Sequence, residues 1–415
     1  MTKPGPAPAQ AGATRRDADG EAVARRNLPL LIAAQSLGGA SPAIIVSLGG
    51  LVGQHLSDNA ALVTLPISLF QLGQALGAMP MGLLMRRYGR RPTYVLGTGL
   101  GMSAGLLAAW AIVQGSFLLF CLGTALSGLY GACVQSYRFA AADEVAPSMR
   151  ARAISRVMVG GLLAAVIGPQ VVIWTRDAYP QAPFAGSFIG QAVLALIAMA
   201  VVSRLRVTRA TAAVQEGLPA RPLARIAAQP RFVLAVFAGV ASYGLMSFVM
   251  TAAPMAMVDC GHTVGQAALG IQWHVLAMYG PSFFTGRLIA RYGHARITAL
   301  GLALIASAAA LSLAGLGLVH FWGGLVLLGL GWNFGFIGAT AMVAECYRPA
   351  ERARAQSLND MLVFGTVAIA SFSSGRLMTG AGWTAVNQVV FPIVGCVLAA
   401  LAWRAWRERG ARASA

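Results

Sequence analysis

Gly82-Leu-Leu-Met-Arg-Arg87-Tyr-Gly89-Arg90 decides how this chain is read, because it returns 204 residues later as Gly286-Arg-Leu-Ile-Ala-Arg291-Tyr-Gly293-His294. A second landmark repeats in the same order. Pro147-Ser-Met-Arg150-Ala-Arg152-Ala-Ile-Ser155 comes back as Pro349-Ala-Glu-Arg352-Ala-Arg354-Ala-Gln-Ser357, with Asp143 ahead of the first copy and Glu345 ahead of the second. Two landmarks at nearly one offset mark an internal duplication. In both copies of the first landmark a glycine follows an apolar stretch, and Gly89 and Gly293 supply the backbone freedom a tight turn needs.

The repeated unit is built for lipid. Of the 415 residues, 57% are hydrophobic and only 11% charged, with a mean hydropathy of +0.67. A soluble domain carries about 25% charged residues, so this composition cannot clothe a water-facing surface. Apolar stretches of the length a helix needs to cross roughly 30 Å of hydrocarbon occur at 28–53, 60–85, 92–115, 116–140, 151–175, 183–204, 231–257, 264–290, 295–317, 321–346, 355–379 and 384–406. They are apolar all round, whereas barrel strands alternate apolar and polar residues. The predicted fold is therefore an all-α membrane protein of twelve transmembrane helices, arranged as two pseudo-symmetric six-helix bundles.

The net charge of +18 follows from topology. With helices alternating in direction, 29 of the 31 basic residues fall on one side and only Arg176 and Arg376 on the other. The positive-inside rule then places both termini in the cytoplasm of a cell bounded by a bacterial-type inner membrane. A nucleic-acid partner is not needed to explain the charge, since no basic stretch is interleaved with base-stacking aromatics. Residues 1–27 are expected to be a disordered cytoplasmic tail and 28–204 the N-terminal bundle. A polar, Arg- and Pro-containing linker follows at 205–230, then the C-terminal bundle at 231–406 and a tail at 407–415. Five cysteines show no CxxC spacing, so neither disulfide nor zinc is expected, and no cofactor is implied.

Duplicated bundles of this kind hold a substrate cavity at their interface and expose it to each side in turn. The chain resembles the major facilitator superfamily, whose loop between helices two and three reads G-x-L-x-D-R-x-G-R-[KR]. Gly82, Leu84, Arg87, Gly89, Arg90 and Arg91 match that pattern, while Arg86 stands where the family usually has Asp. The resemblance covers about residues 28–406. It implies rocker-switch alternating access, and a cytoplasmic latch that Arg86 puts in doubt unless Asp143 or Glu144 supplies the acid. Gly82, Arg86, Arg87, Gly89, Arg90, Arg91 and Asp143, with Gly286, Arg291, Gly293, Glu345 and Arg352 of the second half, form the expected gating motif.

Polar side chains within spanning helices are costly and mark pathways or helix contacts. The candidates for the cavity are Gln35, Gln71, Gln74, Tyr130, Gln170, Tyr243, Trp273, His274, Trp332 and Asn333, and the resemblance implies that helices one, four, seven and ten line it. His274 and Asp360 are the proton-coupling candidates, since both titrate and both lie inside spans. The absence of a mid-depth acid in the first half argues against a dicationic substrate.

The expected function is secondary transport of a small organic solute by a monomer, with protons as the coupling ion. Gly168-Pro169, similar to a motif of exporters, tips the balance slightly toward efflux of drug-like or metabolic compounds; uptake of a nutrient such as a vitamin is the alternative. A non-transporting receptor is a further reading. An intramembrane hydrolase is weighed because Gly101-Met-Ser103-Ala-Gly105 fits G-x-S-x-G, but that motif bends from strand to helix whereas this one lies inside a span. Lys3 is the only lysine, which removes an ATP-driven pump with a Walker A lysine.

Overall fold

The structure is a computed structural model that describes residues 23, 25–143, 145, 150–206, 221–348 and 351–413. The expected tail at 1–22 and 24, the middle of the linker and Glu144 lie outside the described residues. So do the side chains of Arg86, Asp143 and Arg352.

Every regular element among the described residues is helical. In chain order the first bundle contains α1 (Arg25–Leu56, with a turn at Gly39), α2 (Leu65–Tyr88), α3 (Arg90–Val113), α4 (Phe117–Gln135), α5 (Arg150–Thr175) and α6 (Ala185–Val202). A short helix, Tyr137–Asp143, continues α4. The second bundle contains α7 (Pro230–Asp259), α8 (Val264–Tyr279 and Ser282–Tyr292), α9 (His294–Ala314), α10 (Leu318–Ala344), α11 (from Arg352) and α12 (Val390–Ala413). The apolar run Arg354–Arg407 contains 54 residues. As one straight helix it would measure about 80 Å, so it makes two crossings, and the chain turns at Gly382, where φ is 77°.

Two departures from an uninterrupted helix have local causes. α8, expected as one span, is broken at Gly280-Pro281 because proline lacks the N–H that would continue the ladder. Asn333 of α10 compensates: its amide donates to the Met278 carbonyl at 2.6 Å and to Ser282 Oγ at 2.8 Å, and its Oδ1 lies 2.6 Å from the Thr285 hydroxyl. The glycines of α3 serve close packing. A Cβ on Gly101 would meet the Tyr130 ring at 2.4 Å, and one on Gly105 would meet the Phe188 carbonyl at 2.8 Å. Ser103, between them, is exposed in an unbroken helix.

The duplication survives in the backbone. Gly89 (φ 88°, ψ 170°) and Gly293 (φ 86°, ψ 153°) each end one helix and begin the next, in the left-handed region that glycine tolerates. Their N–H groups donate to Met85 at 3.0 Å and to Ile289 at 2.8 Å. Arg87 lies over the Tyr88 ring at 5.3 Å, and Arg291 over Tyr292 at 5.3 Å.

The bundles meet mainly toward the arginine-poor end. There the Thr64 hydroxyl of the first bundle donates to the Phe372 carbonyl of the second at 3.5 Å, and Gln170 Nε2 donates to Gln272 Oε1 at 3.1 Å. One continuous apolar core joins both bundles through residues such as Ile44, Ile67, Met250 and Met255. Toward the arginine-rich end the first bundle has a separate core around Tyr94, Tyr130 and Tyr137. Burial of apolar side chains therefore couples the halves at one end and leaves them apart at the other.

Candidate functional site: a cavity between the bundles

A cavity lies between the halves, with about 90 Å³ open to a water-sized guest. Its lining obeys the 204-residue offset of the duplication. Gly39, Pro42, Val46, Gln71 and Gln74 line it from the first bundle, and the residues 204 positions later, Tyr243, Met246, Met250, Val275 and Met278, line it from the second. The cavity thus sits on the pseudo-symmetry axis, where equivalent helix faces converge.

The two walls differ in chemistry. The first bundle contributes four amides: Gln35 from α1, Gln71 and Gln74 from α2, and Gln135 at the end of α4. None makes a side-chain hydrogen bond to another described residue. Gln71 is 7% exposed and Gln74 8%, so these amides are withdrawn from bulk solvent and have donors and acceptors to offer a guest. The second bundle contributes Tyr243 and Tyr279 among methionine and aliphatic side chains; behind that lining the Tyr243 ring lies 5.3 Å from Trp332, 5.0 Å from Phe336 and 5.6 Å from Phe364. Trp332 and Phe336 stack at 5.4 Å, and Tyr279 stands 6.1 Å from Trp332. Such rings favour flat, polarisable ligands.

Not every expected residue reaches this space. Gln35, Gln71, Gln74 and Tyr243 line it directly, and Trp332 backs Tyr243. Tyr130 is instead buried within the first bundle against Gly38 and Gly101. Gln170 is spent on its bond to Gln272 between the bundles. Trp273 points outward and is 46% exposed, on the side of α8 away from the core. His274, its neighbour, is fully buried against α10, with Nδ1 2.7 Å from the Leu325 carbonyl. Asn333 is consumed by the break in α8. Three further lining residues, Gln135, Tyr279 and Met278, were not singled out from the sequence; the 204-residue offset applied to Gln74 would have found Met278.

Near the arginine-rich end, charges from the two bundles face each other. Arg138, just beyond α4, and Asp360, on α11, are near enough for their opposite charges to act on each other. Asp360 accepts a hydrogen bond from Asn359 at 3.1 Å. Of the gating residues, Glu345 pairs with His294 at 3.1 Å, fastening the Gly293 turn to the end of α10. The counterpart positions in the first half are Arg90 and Asp143. A Cβ on Gly82 or Gly286 would meet nothing within 4 Å. The linker returns at Arg221, which grips the fully buried Glu351 through Nε at 2.8 Å and Nη2 at 2.7 Å. The Arg221 guanidinium holds the Glu351 carboxyl well below the usual carboxylate range.

Two duplicated six-helix bundles around an interfacial cavity, with matching glycine turns, are the architecture of a membrane transporter. The chain belongs to the Major Facilitator Superfamily, whose family model matches residues 30–331 and 235–414. It is 58% identical over 396 residues to the riboflavin transporter RfnT of Brucella anthropi, covering 95% of this chain and 99% of that protein. It is also 31% identical to the uncharacterised MFS-type transporter YdeG of Bacillus subtilis, over 88% of each chain. Among solved structures, a mutant of the nucleoside transporter NupG superposes with a TM-score of 0.68 over 90% of this chain and 98% of its own, at 14% identity, a likeness of fold.

Proposed function

We propose that the chain carries riboflavin, or a closely related flavin, into the cell. The observation that supports this most is the 58% identity, along nearly the whole of both chains, to a riboflavin transporter. The cavity agrees with it. A tricyclic, uncharged ring system with a polar edge and a polyol tail suits aromatic rings facing unpaired amides, and no acid is required to hold it. The slight preference for export loses its basis, since Gly168 is explained by packing: a Cβ there would meet the Ala40 carbonyl of α1 at 2.7 Å. The vitamin-uptake alternative is the better reading.

In this reading residues 28–204 and 231–406 rock against each other as a monomer, and the linker 205–230 joins them. The arginine-rich face is cytoplasmic, in a bacterial inner membrane, so the cavity described here opens inward. Asp360 is the proton-coupling carboxylate, opposed by Arg138 of the other bundle. Purified protein in liposomes, given external riboflavin, should accumulate it faster with an inward proton gradient, and Asp360→Asn should remove that stimulation. Flux of other solutes without flux of any flavin would reject the reading.

A further inference from the structure

Two amides on residues less than a tenth exposed, lining a cavity and bonded to no described protein group, have their polar atoms open to that cavity and free for a guest. Gln71 and Gln74 are such a pair, three residues apart on one face of α2. Each amide presents an N–H donor and a carbonyl acceptor side by side. Their geometric complement is a cyclic imide, in which an N–H is flanked by two carbonyls. Among the described residues of the second bundle that line the cavity, none is an amide. The positions equivalent to Gln71 and Gln74 are Val275 and Met278, and the Tyr243 ring takes the place of Gly39.

Depth orders the rest of the ligand. α2 enters from the arginine-poor end, so Gln71 and Gln74 lie toward the closed end of the cavity. Gln135 ends α4, and Gln35 lies ten residues from the start of α1, both nearer the open mouth and both only partly buried. Amides at the mouth can exchange hydrogen bonds with hydroxyls and water alike.

Building on the flavin reading above, we propose that the halves divide recognition. The amides of Gln71 and Gln74 read the imide edge of a planar heteroaromatic ring, Tyr243 and Tyr279 hold the flat face, and the polyol tail lies toward Gln35, Gln135 and the mouth. The ring, not the tail, is then what the site selects.

Binding to the purified full chain tests this, with flavin fluorescence as readout. Lumiflavin, the ring without the polyol, should compete with riboflavin, and ribitol should not. N3-methyl-lumiflavin, whose imide N–H is blocked, should bind about tenfold or more weaker than lumiflavin, the loss expected for a buried hydrogen bond replaced by a clash. Gln71→Leu and Gln74→Leu should erase that discrimination, whereas Tyr243→Ala should weaken both rings alike. Equal binding of the two rings by the unaltered protein overturns the proposal, a result that owes nothing to folding of a variant, and leaves the flavin reading standing. Competition by ribitol also overturns it. Binding of neither riboflavin nor lumiflavin defeats the flavin reading as well.

Discussion

The two bundles share a backbone and disagree about side chains. Their turns at Gly89 and Gly293 have nearly the same φ, and equivalent helix positions line the same cavity. Yet the first wall carries four amides and the second none, with two tyrosines among methionine and aliphatic side chains instead. The backbone turn constrains residue type sterically, since a left-handed conformation excludes most side chains, so it resists divergence. A cavity wall bears no such constraint, because a side chain facing a guest answers to the guest. Duplication thus keeps the frame and frees the lining.

That comparison can be broken most decisively at the cavity. Tyr243→Ala should raise the KM for riboflavin uptake about tenfold, since a ring contact is worth about 0.5–1.5 kcal/mol beyond its buried area. The equivalent first-bundle substitution, Gly39→Ala, should act instead through packing, because its Cβ would meet the Gln35 carbonyl. An unchanged KM in Tyr243→Ala would show that the second-bundle wall is not where the substrate rests.

The shared frame is sharpened by Gly89→Ala and Gly293→Ala. Each should destabilise by about 1 kcal/mol, the penalty of a positive φ on an L-residue, and by similar amounts in thermal melts if the turns are truly equivalent. Gly286→Ala, with open space around it, should cost little by comparison.

A further contrast separates the linker anchor from the cavity. Glu351 is held ionised in the folded state, so its contribution is present above the unfolded carboxylate value of about 4.3 and fades as pH falls below it. Protease cleavage near Arg221 should therefore increase as pH drops through that region, and Glu351→Gln should show the increase already at pH 7. Substrate binding should be untouched by that variant.

The smallest effect is expected at His274. Buried against α10 and away from the cavity lining, it packs within the second bundle. His274→Gln should leave the pH profile of transport unchanged. A lost pH dependence would return it to the coupling pathway.

How much of this was legible beforehand differs by residue. Hydrophobic length placed the spans, with two departures: Pro281 breaks α8, a run that composition alone reads as continuous, and α12 runs on to Ala413, through most of the tail expected at 407–415. Gln71, Gln74 and Tyr243 were found as polar groups inside spans. The same criterion also picked Trp273, His274 and Asn333, because polarity in a helix announces a partner without saying whether it is a ligand, a neighbouring helix or the membrane interface. Asn333 finds its partner in the broken ladder of α8, and His274 in the Leu325 carbonyl. Tyr279 lies well inside the expected span 264–290, and nothing in the sequence separates it from a tyrosine that merely packs between helices.

The amino-acid sequence by itself determined the membrane class, the count of crossings and the duplication, since each depends on local hydrophobicity or on identity at a fixed offset. Only the tertiary structure decided which face of each helix meets the cavity. That choice depends on helix rotation and on packing between segments hundreds of residues apart, as where Thr64 meets Phe372, and no local pattern encodes it.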